Sequence, residues 1–491
     1  MDESFPPCED FYKYACQGWI KGKVAKLKET RAKAATRTSD VSKWNERSII
    51  ALLDAIQTSS PGAEGKLKQF YTSCTTNTRW TALINYAQKP NDSQERNILG
   101  KYGDWLYDRI ASFLIAHAKK ELCSFILQSK FPLLLAKLFL EKNIEIISSA
   151  AEISNRVLQT VKKSVTSAPW IPTPIFLNTT IEFVPVTFDN PGILDELYSS
   201  LPLDSNDLLK NLEQVDKFNK LQESSAHLGS IITAAKLTLT QNATYHLVPD
   251  FVFVTPGWVQ MPRFHPGFLD VFKFANLGVT VGHELGHAVM TYLNGVALEN
   301  KTQVFVHAEP SEITKDVFKE KCDCVERQYS GYKVHLPNKE GIRINGTFTL
   351  RDNVADIIGM EMAFKSWVDN DIENSSYGKF QFPQLSRFTK EQIFFISWAQ
   401  EWCEAFEDDE TETTRLTDQV TYDVHSPASV RVLGTLSNFK EFSDAFHCPV
   451  GARYNPKANF FEITHKPFPY PNPVKLYTSD EGDLKPPTQL F

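Results

Sequence analysis

The sequence predicts a mainly α-helical protein with small β elements, folded as two lobes. Three observations carry that expectation. A chain of 491 residues exceeds what one hydrophobic core organises, so two lobes are expected. Through most of the first half, apolar residues recur three and four apart, the period of a helix with one buried face. Near Thr238 the pattern changes to short runs of β-branched and aromatic residues, as small strands require.

In chain order, the basic stretch 21–33 reads as a solvated face. Segments 44–57, 105–117, 132–142 and 146–163 carry the helical period and are expected as helices. Segments 245–254 and 304–306 are expected as strands. Between them, 277–292 reads as a buried helix with Gly278, Gly282 and Gly286 on one face. Those glycines cost helix propensity but let another element approach closely. A further helix is expected to run through Trp367, and Pro456, Pro467, Pro469, Pro471 and Pro473 mark an irregular tail.

Composition narrows the function. With 42% hydrophobic and 23% charged residues, the chain is neither disordered nor fibrous. A formal net charge of -7 and the lack of a long basic run exclude nucleic acid as a partner, because phosphate binding needs clustered Lys and Arg. No apolar run approaches the roughly 18 to 20 residues of a membrane span; the longest, 131–140, is interrupted by Pro132 and Lys137. Met1 is followed by acidic residues, two prolines and Cys8, which is no secretory leader and taken alone points to the cytosol. The cysteines point the other way: Cys8 and Cys16 lie at one end, Cys403 and Cys448 near the other, and such placement suits disulfides that tie the ends together. Asn-x-Ser/Thr sequons at Asn91, Asn178, Asn242, Asn300, Asn345 and Asn374 agree with an extracellular chain, either a secreted glycoprotein or an ectodomain.

The apolar glycine-bearing helix carries His283-Glu284-Leu285-Gly286-His287. Residues four apart sit slightly more than one turn from each other, so both imidazoles leave one face and can share a tetrahedral metal. Glu284, one residue on, can act on a metal-activated water without being a ligand. This His-Glu-x-x-His spacing arises by chance only about 0.01 to 0.02 times in such a chain. One zinc per chain is the expected cofactor, and a catalytic zinc takes a third protein ligand. Met290 and Leu293 stand where a three-histidine site would have Gly and His, so that ligand lies elsewhere. Asp352 and Asp356 are four apart at the start of the last predicted helix. One can bind the metal while the other orients a ligand histidine; the same pair would also suit an acidic first turn, and Glu361 is a further acid nearby.

The order of motifs resembles the neprilysin and endothelin-converting enzyme family of zinc metalloendopeptidases. The opening Pro7-Cys8-Glu9-Asp10-Phe11-Tyr12, with Cys16 and Trp19, resembles the start of that family's ectodomain. Asn242-Ala243-Thr244-Tyr245 resembles its substrate-backbone strand, and Asp352 to Asp356 its third-ligand helix. Asp423-Val424-His425-Ser426-Pro427 and the segment from Arg431 follow its C-terminal blocks in order. The resemblance implies that His283, His287 and Asp352 hold the zinc, with Asp356 beside them. It also implies that Glu284 and His425 are catalytic, that Asn242 and Ala243 hold the peptide backbone, and that Arg431 positions the substrate. By the same resemblance Cys8 pairs with Cys448, Cys16 with Cys403 and Cys74 with Cys123. Cleavage is then expected before a bulky hydrophobic residue of an oligopeptide.

The chain departs from the family at four places. Asp352 stands where the family has Glu, one methylene longer; Asp352→Glu would restore the family's reach unless the helix has shifted to suit Asp. Ala288-Val289-Met290-Thr291 replaces an acidic sequence after His287, the helical lobe between Cys74 and Cys123 is much shortened, and the terminal Cys-x-x-Trp is missing, which leaves Cys324 without a partner. The expected architecture is a zincin-type metallopeptidase whose catalytic lobe joins residues 1–35 to 206–491, with a reduced helical covering lobe at 36–205. The alternative is a relative that has lost catalysis and serves as a binding or decoy module. The departures favour that alternative, and the joint retention of His283, Glu284, His287, His425 and Arg431 opposes it.

Overall fold

The computed structural model describes residues 1–30, 32–76, 116–171, 178–184, 192–294, 310–373 and 385–457. The strand expected at 304–306, the tail prolines beyond 457 and the sequons at Asn91, Asn300 and Asn374 lie outside these residues. So does the helix expected at 105–117, apart from residues 116 and 117. Asn178, Asn242 and Asn345 are described, and each is exposed.

Helices dominate the described residues, and small sheets serve as clips between them. The expected helices at 44–57, 132–142 and 146–163 correspond to Arg37–Ala55, Pro132–Lys142 and Ile144–Ser167. The first of these begins earlier than its apolar period because Thr36 and Ser39 form a capping box ahead of it. The single strand expected at 245–254 is instead two strands, Ala243–His246 and Phe251–Val254, paired antiparallel. Pro249, which cannot donate to a ladder, and Asp250 turn the chain between them. Thr180–Glu182 pairs parallel on the far side of Phe251–Val254, so among the described residues Ala243–His246 is an edge strand of this sheet.

Beside a small cluster of Leu27, Ala35 and Ala405, two large hydrophobic cores organise the fold among the described residues. The smaller gathers Leu67, Phe70, Phe131, Leu134, Phe139 and Leu212 around the Cys74–Cys123 disulfide. The larger surrounds the His-Glu-x-x-His helix, Val279–Leu293, and its main partner, Leu350–Glu373. Core membership differs from a division of the chain at 205/206. Helix Ile144–Ser167 joins the larger core through Ile147, Ala150, Ile153, Val157 and Val161. Helices Leu208–Glu223 and Ala226–Leu237 join the smaller through Leu208, Leu212, Val215, Ile232 and Ala235. Periodicity reveals that a helix has a buried face but not which core that face enters.

The N-terminal helix Phe11–Thr30 is fastened to the C-terminal half. Disulfides Cys8–Cys448 and Cys16–Cys403 hold it, Phe11 sits against Phe442 and Phe446, and strand Ala34–Thr36 pairs with Glu404–Phe406. No single helix among the described residues is long and apolar enough to cross a membrane.

Candidate metal centre

The centre is built on a crossing of two helices at glycine. A methyl carbon added to Gly282 would lie 2.8 Å from the Cα and O of Gly359, and one added to Gly286 would lie 3.0 Å from Ala355 Cα. Only with these glycines do Val279–Leu293 and Leu350–Glu373 approach backbone to backbone. The approach brings the first turn of the second helix under the imidazoles of the first.

Asp352 Oδ1 then lies 3.6 Å from His283 Nε2, 3.4 Å from His287 Nε2 and 3.2 Å from His425 Nε2. Zinc bonded to nitrogen and oxygen at about 2.0 to 2.1 Å in a tetrahedron separates its ligands by about 3.3 to 3.4 Å. The distances from Asp352 depart from that edge by no more than about 0.3 Å, so these donors fit a zinc ion. The chemistry of the set agrees, being imidazoles and a carboxylate, with His283 and Asp352 buried. Glu284 is 8% exposed and sits beside His283 on the same helix, so it too is largely withdrawn from water.

The groups around the ligands are unevenly distributed. His283 Nδ1 is 2.8 Å from Asp356 Oδ1, and Arg431 grips the same carboxylate with Nε at 2.7 Å from Oδ2 and Nη2 at 2.5 Å from Oδ1. The Arg431 guanidinium lies 4.0 Å from the centroid of the Trp402 ring. His425 Nδ1 is 2.8 Å from Asp423 Oδ1, and the turn that carries it is fixed by Ser426 Oγ donating to Asn353 Oδ1 at 2.8 Å. His287 differs: its Nδ1 is buried and finds no hydrogen-bond partner among the described residues. Ala288-Val289-Met290-Thr291 offers no carboxylate there, as the sequence implied.

Charge follows this geometry. Burial alone would raise the Asp352 carboxyl, but hydrogen bonds from His283, His287 and His425 hold it far below the usual carboxylate range. Burial likewise opposes ionisation of Asp356, and the Arg431 charge and His283 overcome it, setting the carboxyl at about 2. For His283, burial disfavours the cation, while hydrogen bonds to Asp352 and Asp356 outweigh it and raise the imidazole to about 9. The site as folded is therefore a pocket that stabilises positive charge.

The structure thus brings His283, Glu284, His287, Asp352, Asp356, His425 and Arg431 together. Arg431 does so as a buried partner of Asp356, with its Nε and Nη2 engaged there rather than free for substrate. Asn242 and Ala243 lie on and beside the edge strand, where the Asn242 N–H donates to Thr255 Oγ1 at 3.1 Å. Glu361 lies on the same helix as Asp352 but is outside the cluster. Sequence reasoning missed Asp423 and Trp402. The Asp-x-His spacing at 423 and 425 was the available signal for the first, since a side chain two residues ahead on a turn readily meets the ring; nothing local signalled the second.

Comparisons with known proteins agree with this picture. Models of peptidase family M13 match residues 242–460 and, for the family's N-terminal domain, 7–88. An endothelin-converting enzyme homolog of Locusta migratoria is 32% identical over 270 residues, which is 54% of this chain and 35% of that protein. Neprilysin-3 of Drosophila melanogaster is 33% identical over 274 residues, 54% of this chain and 32% of that protein. The matched region is thus about a third of the length of these relatives. Among solved structures, a Haemonchus galactose-containing glycoprotein complex superposes with a TM-score of 0.60 at 16% identity, covering 93% of this chain and 96% of that one. The zinc metalloprotease Zmp1 of Mycobacterium tuberculosis in its open state superposes with a TM-score of 0.53 at 16% identity, covering 77% of this chain and 56% of that one. At such identity these structures show a shared fold.

Proposed function

The chain belongs to peptidase family M13, and from that premise we propose that it is a zinc-dependent metalloendopeptidase acting on oligopeptides. The observation that carries the proposal is the convergence of His283, His287 and His425 on Asp352 at tetrahedral ligand spacing, with Glu284 adjacent. His283, His287 and Asp352 would hold the ion. When bound, zinc supplies a Lewis acid that acidifies water and polarises the scissile carbonyl.

The remaining steps belong to the protein. Glu284 takes the proton from the attacking water at its carboxylate and delivers it to the leaving amine nitrogen, as general base and then general acid. His425, with Nδ1 hydrogen-bonded to Asp423, turns Nε2 toward the developing oxyanion and stabilises it. The peptide adds as an extended strand along the edge Ala243–His246, held by backbone groups near Asn242 and Ala243. Arg431 acts through Asp356, fixing the ring of His283. By family resemblance the bond cleaved is the one before a bulky hydrophobic residue. The three disulfides support an oxidising, extracellular setting.

One observation favours the other reading, a binding or decoy module without turnover. Among the described residues His287 Nδ1 has no partner, which leaves one ligand ring without the acceptor that usually orients it. The test is zinc content of the purified chain together with turnover of an internally quenched peptide, using Glu284→Gln as the blank. Stoichiometric zinc with turnover above the blank supports the peptidase. Stoichiometric zinc with turnover equal to the blank supports the module.

A further inference from the structure

We propose that His425 is a fourth zinc ligand in the resting protein, closing the metal's open position until a peptide displaces it. The inference rests on the zinc reading above and adds to it a role that the oxyanion function alone does not require.

The spacing makes the first argument. Of the three imidazole nitrogens around Asp352 Oδ1, His425 Nε2 is the nearest, at 3.2 Å, against 3.4 and 3.6 Å for His287 and His283. These are the three edges that run to Asp352, and each is within about 0.3 Å of the edge of a zinc tetrahedron, about 3.3 to 3.4 Å. His283 Nδ1 or Nε2, one Asp352 oxygen and a ring nitrogen of His425 lie mutually within 4.8 Å.

The second argument is the partner behind each ring. A metal-bound imidazole almost always donates its other N–H to a carboxylate or carbonyl, which fixes the tautomer and raises ligand basicity. His283 has such a partner in Asp356, and His425 has one in Asp423, both at 2.8 Å. His287 has none among the described residues. If Nδ1–H donates to Asp423, the Nε2 of a neutral His425 is left with a lone pair that a zinc ion can take in place of the hydrogen bond to Asp352. His425 therefore carries the arrangement of a ligand more fully than one of the two histidines of the motif does.

The third argument concerns release. His425 is on a turn, outside any helix, and its side chain is 40% exposed, whereas those of His283 and His287 are 9% and 16% exposed on a packed helix. A ring so placed can leave the metal without unfolding an element. A fully protein-ligated tetrahedral zinc is a closed site, and an open one is required for catalysis. Exchange of His425 for a peptide carbonyl would convert the first into the second, and the released ring, taking up a proton at Nε2 from solvent, would stand as an imidazolium beside the oxygen it then stabilises.

X-ray absorption at the zinc edge counts imidazole ligands without reference to activity. The expected result is three imidazoles in the full-length zinc protein and two in His425→Ala. With Glu284→Gln and a saturating uncleaved peptide, the count is expected to fall from three to two. Competition with a chelator gives an independent readout. His425→Ala is expected to weaken zinc by more than about 100-fold, and Asp423→Asn by about 10-fold, since loss of a partner behind a ligand typically costs roughly 10 to 100-fold. Two imidazoles in the unmodified protein, or zinc affinity unchanged within about twofold in both variants, overturns the fourth-ligand inference and leaves the peptidase reading intact. Failure to bind zinc at all overturns both. Circular dichroism of each variant, with His425→Gln as a conservative second substitution, separates lost ligation from lost fold.

Discussion

The helix crossing at Gly359 sets the metal spacing, and Gly359→Ala puts that claim at risk. A methyl carbon at position 359 would lie 2.6 Å from His283 N and 2.9 Å from Val279 O, both backbone atoms that no rotamer change can move. Restoring a van der Waals separation of about 3.5 Å requires the two helices to part by about 0.9 Å at His283. Metal sites hold their ligand distances to about ±0.2 Å, so the displacement exceeds what the tetrahedron absorbs. Overpacking of this kind costs about 1 to 3 kcal/mol, and replacing a helical glycine returns about 1 kcal/mol of propensity. The variant is therefore expected to lose up to about 2 kcal/mol in metal-free denaturation. It should also bind zinc at least about tenfold more weakly by chelator competition, roughly 1.4 kcal/mol. Gly278→Ala is the internal control: its methyl would meet Phe274 at 3.4 Å and Ala363 Cβ at 3.5 Å, ordinary contacts. It should be neutral or stabilising by up to about 1 kcal/mol, with zinc affinity unchanged. If Gly359→Ala behaved like Gly278→Ala in both measurements, the close crossing would not be what sets the ligand spacing.

Three further outcomes are expected. Asp352→Glu, although it restores the family's residue, should weaken zinc by about tenfold, because the imidazoles already stand at Asp reach and an extra methylene overshoots by about 1.5 Å; tighter zinc in isothermal titration would refute this. Arg431→Ala should destabilise the fold by about 3 to 5 kcal/mol by leaving Asp356 buried without its charge partner, and Arg431→Lys should fall between, since it cannot make the bidentate pair. Unaltered denaturation midpoints with only a raised KM would instead make Arg431 a substrate contact. Glu404, half-buried on the strand beside Thr36, is raised by burial to about 7, with Glu412 adding to the shift and Arg415 opposing it. The folded chain keeps this proton while the unfolded chain releases it near 4.5, so stability should fall as pH rises from about 4.5 to 7 and then level, by at most about 3 kcal/mol. Glu404→Gln should flatten that slope in urea midpoints taken across the window, and an unchanged slope would exclude Glu404 as its source.

Much of the site was legible because it rests on local rules. The His-Glu-x-x-His turn, the glycine face and the acidic pair four apart each encode a direction in space through helix geometry, and the structure brings those directions together. The contributions that escaped are relational. Arg431 reads as an isolated basic residue, and only the fold reveals that it closes on Asp356 over the Trp402 ring. The placement of Ile144–Ser167 in the larger core was equally hidden, since its apolar stripe suits either core. The paired strands at Ala243–His246 and Phe251–Val254 read as one run because β-branched and aromatic residues occur on both sides of the turn at Pro249 and Asp250.

The two long crosslinks change what a cut in the chain means. Cys8–Cys448 and Cys16–Cys403 span 440 and 387 residues, so any loop between Cys16 and Cys403 lies inside both rings. A protease that severs one such loop opens a ring without separating the molecule. The N-terminal fragment stays bonded to the C-terminal one, and the backbone around Asp352 and the zinc helix keeps its neighbours. Nicked protein would therefore migrate intact on a non-reducing gel and separate into fragments only after reduction. Such a topology keeps a nicked copy assembled.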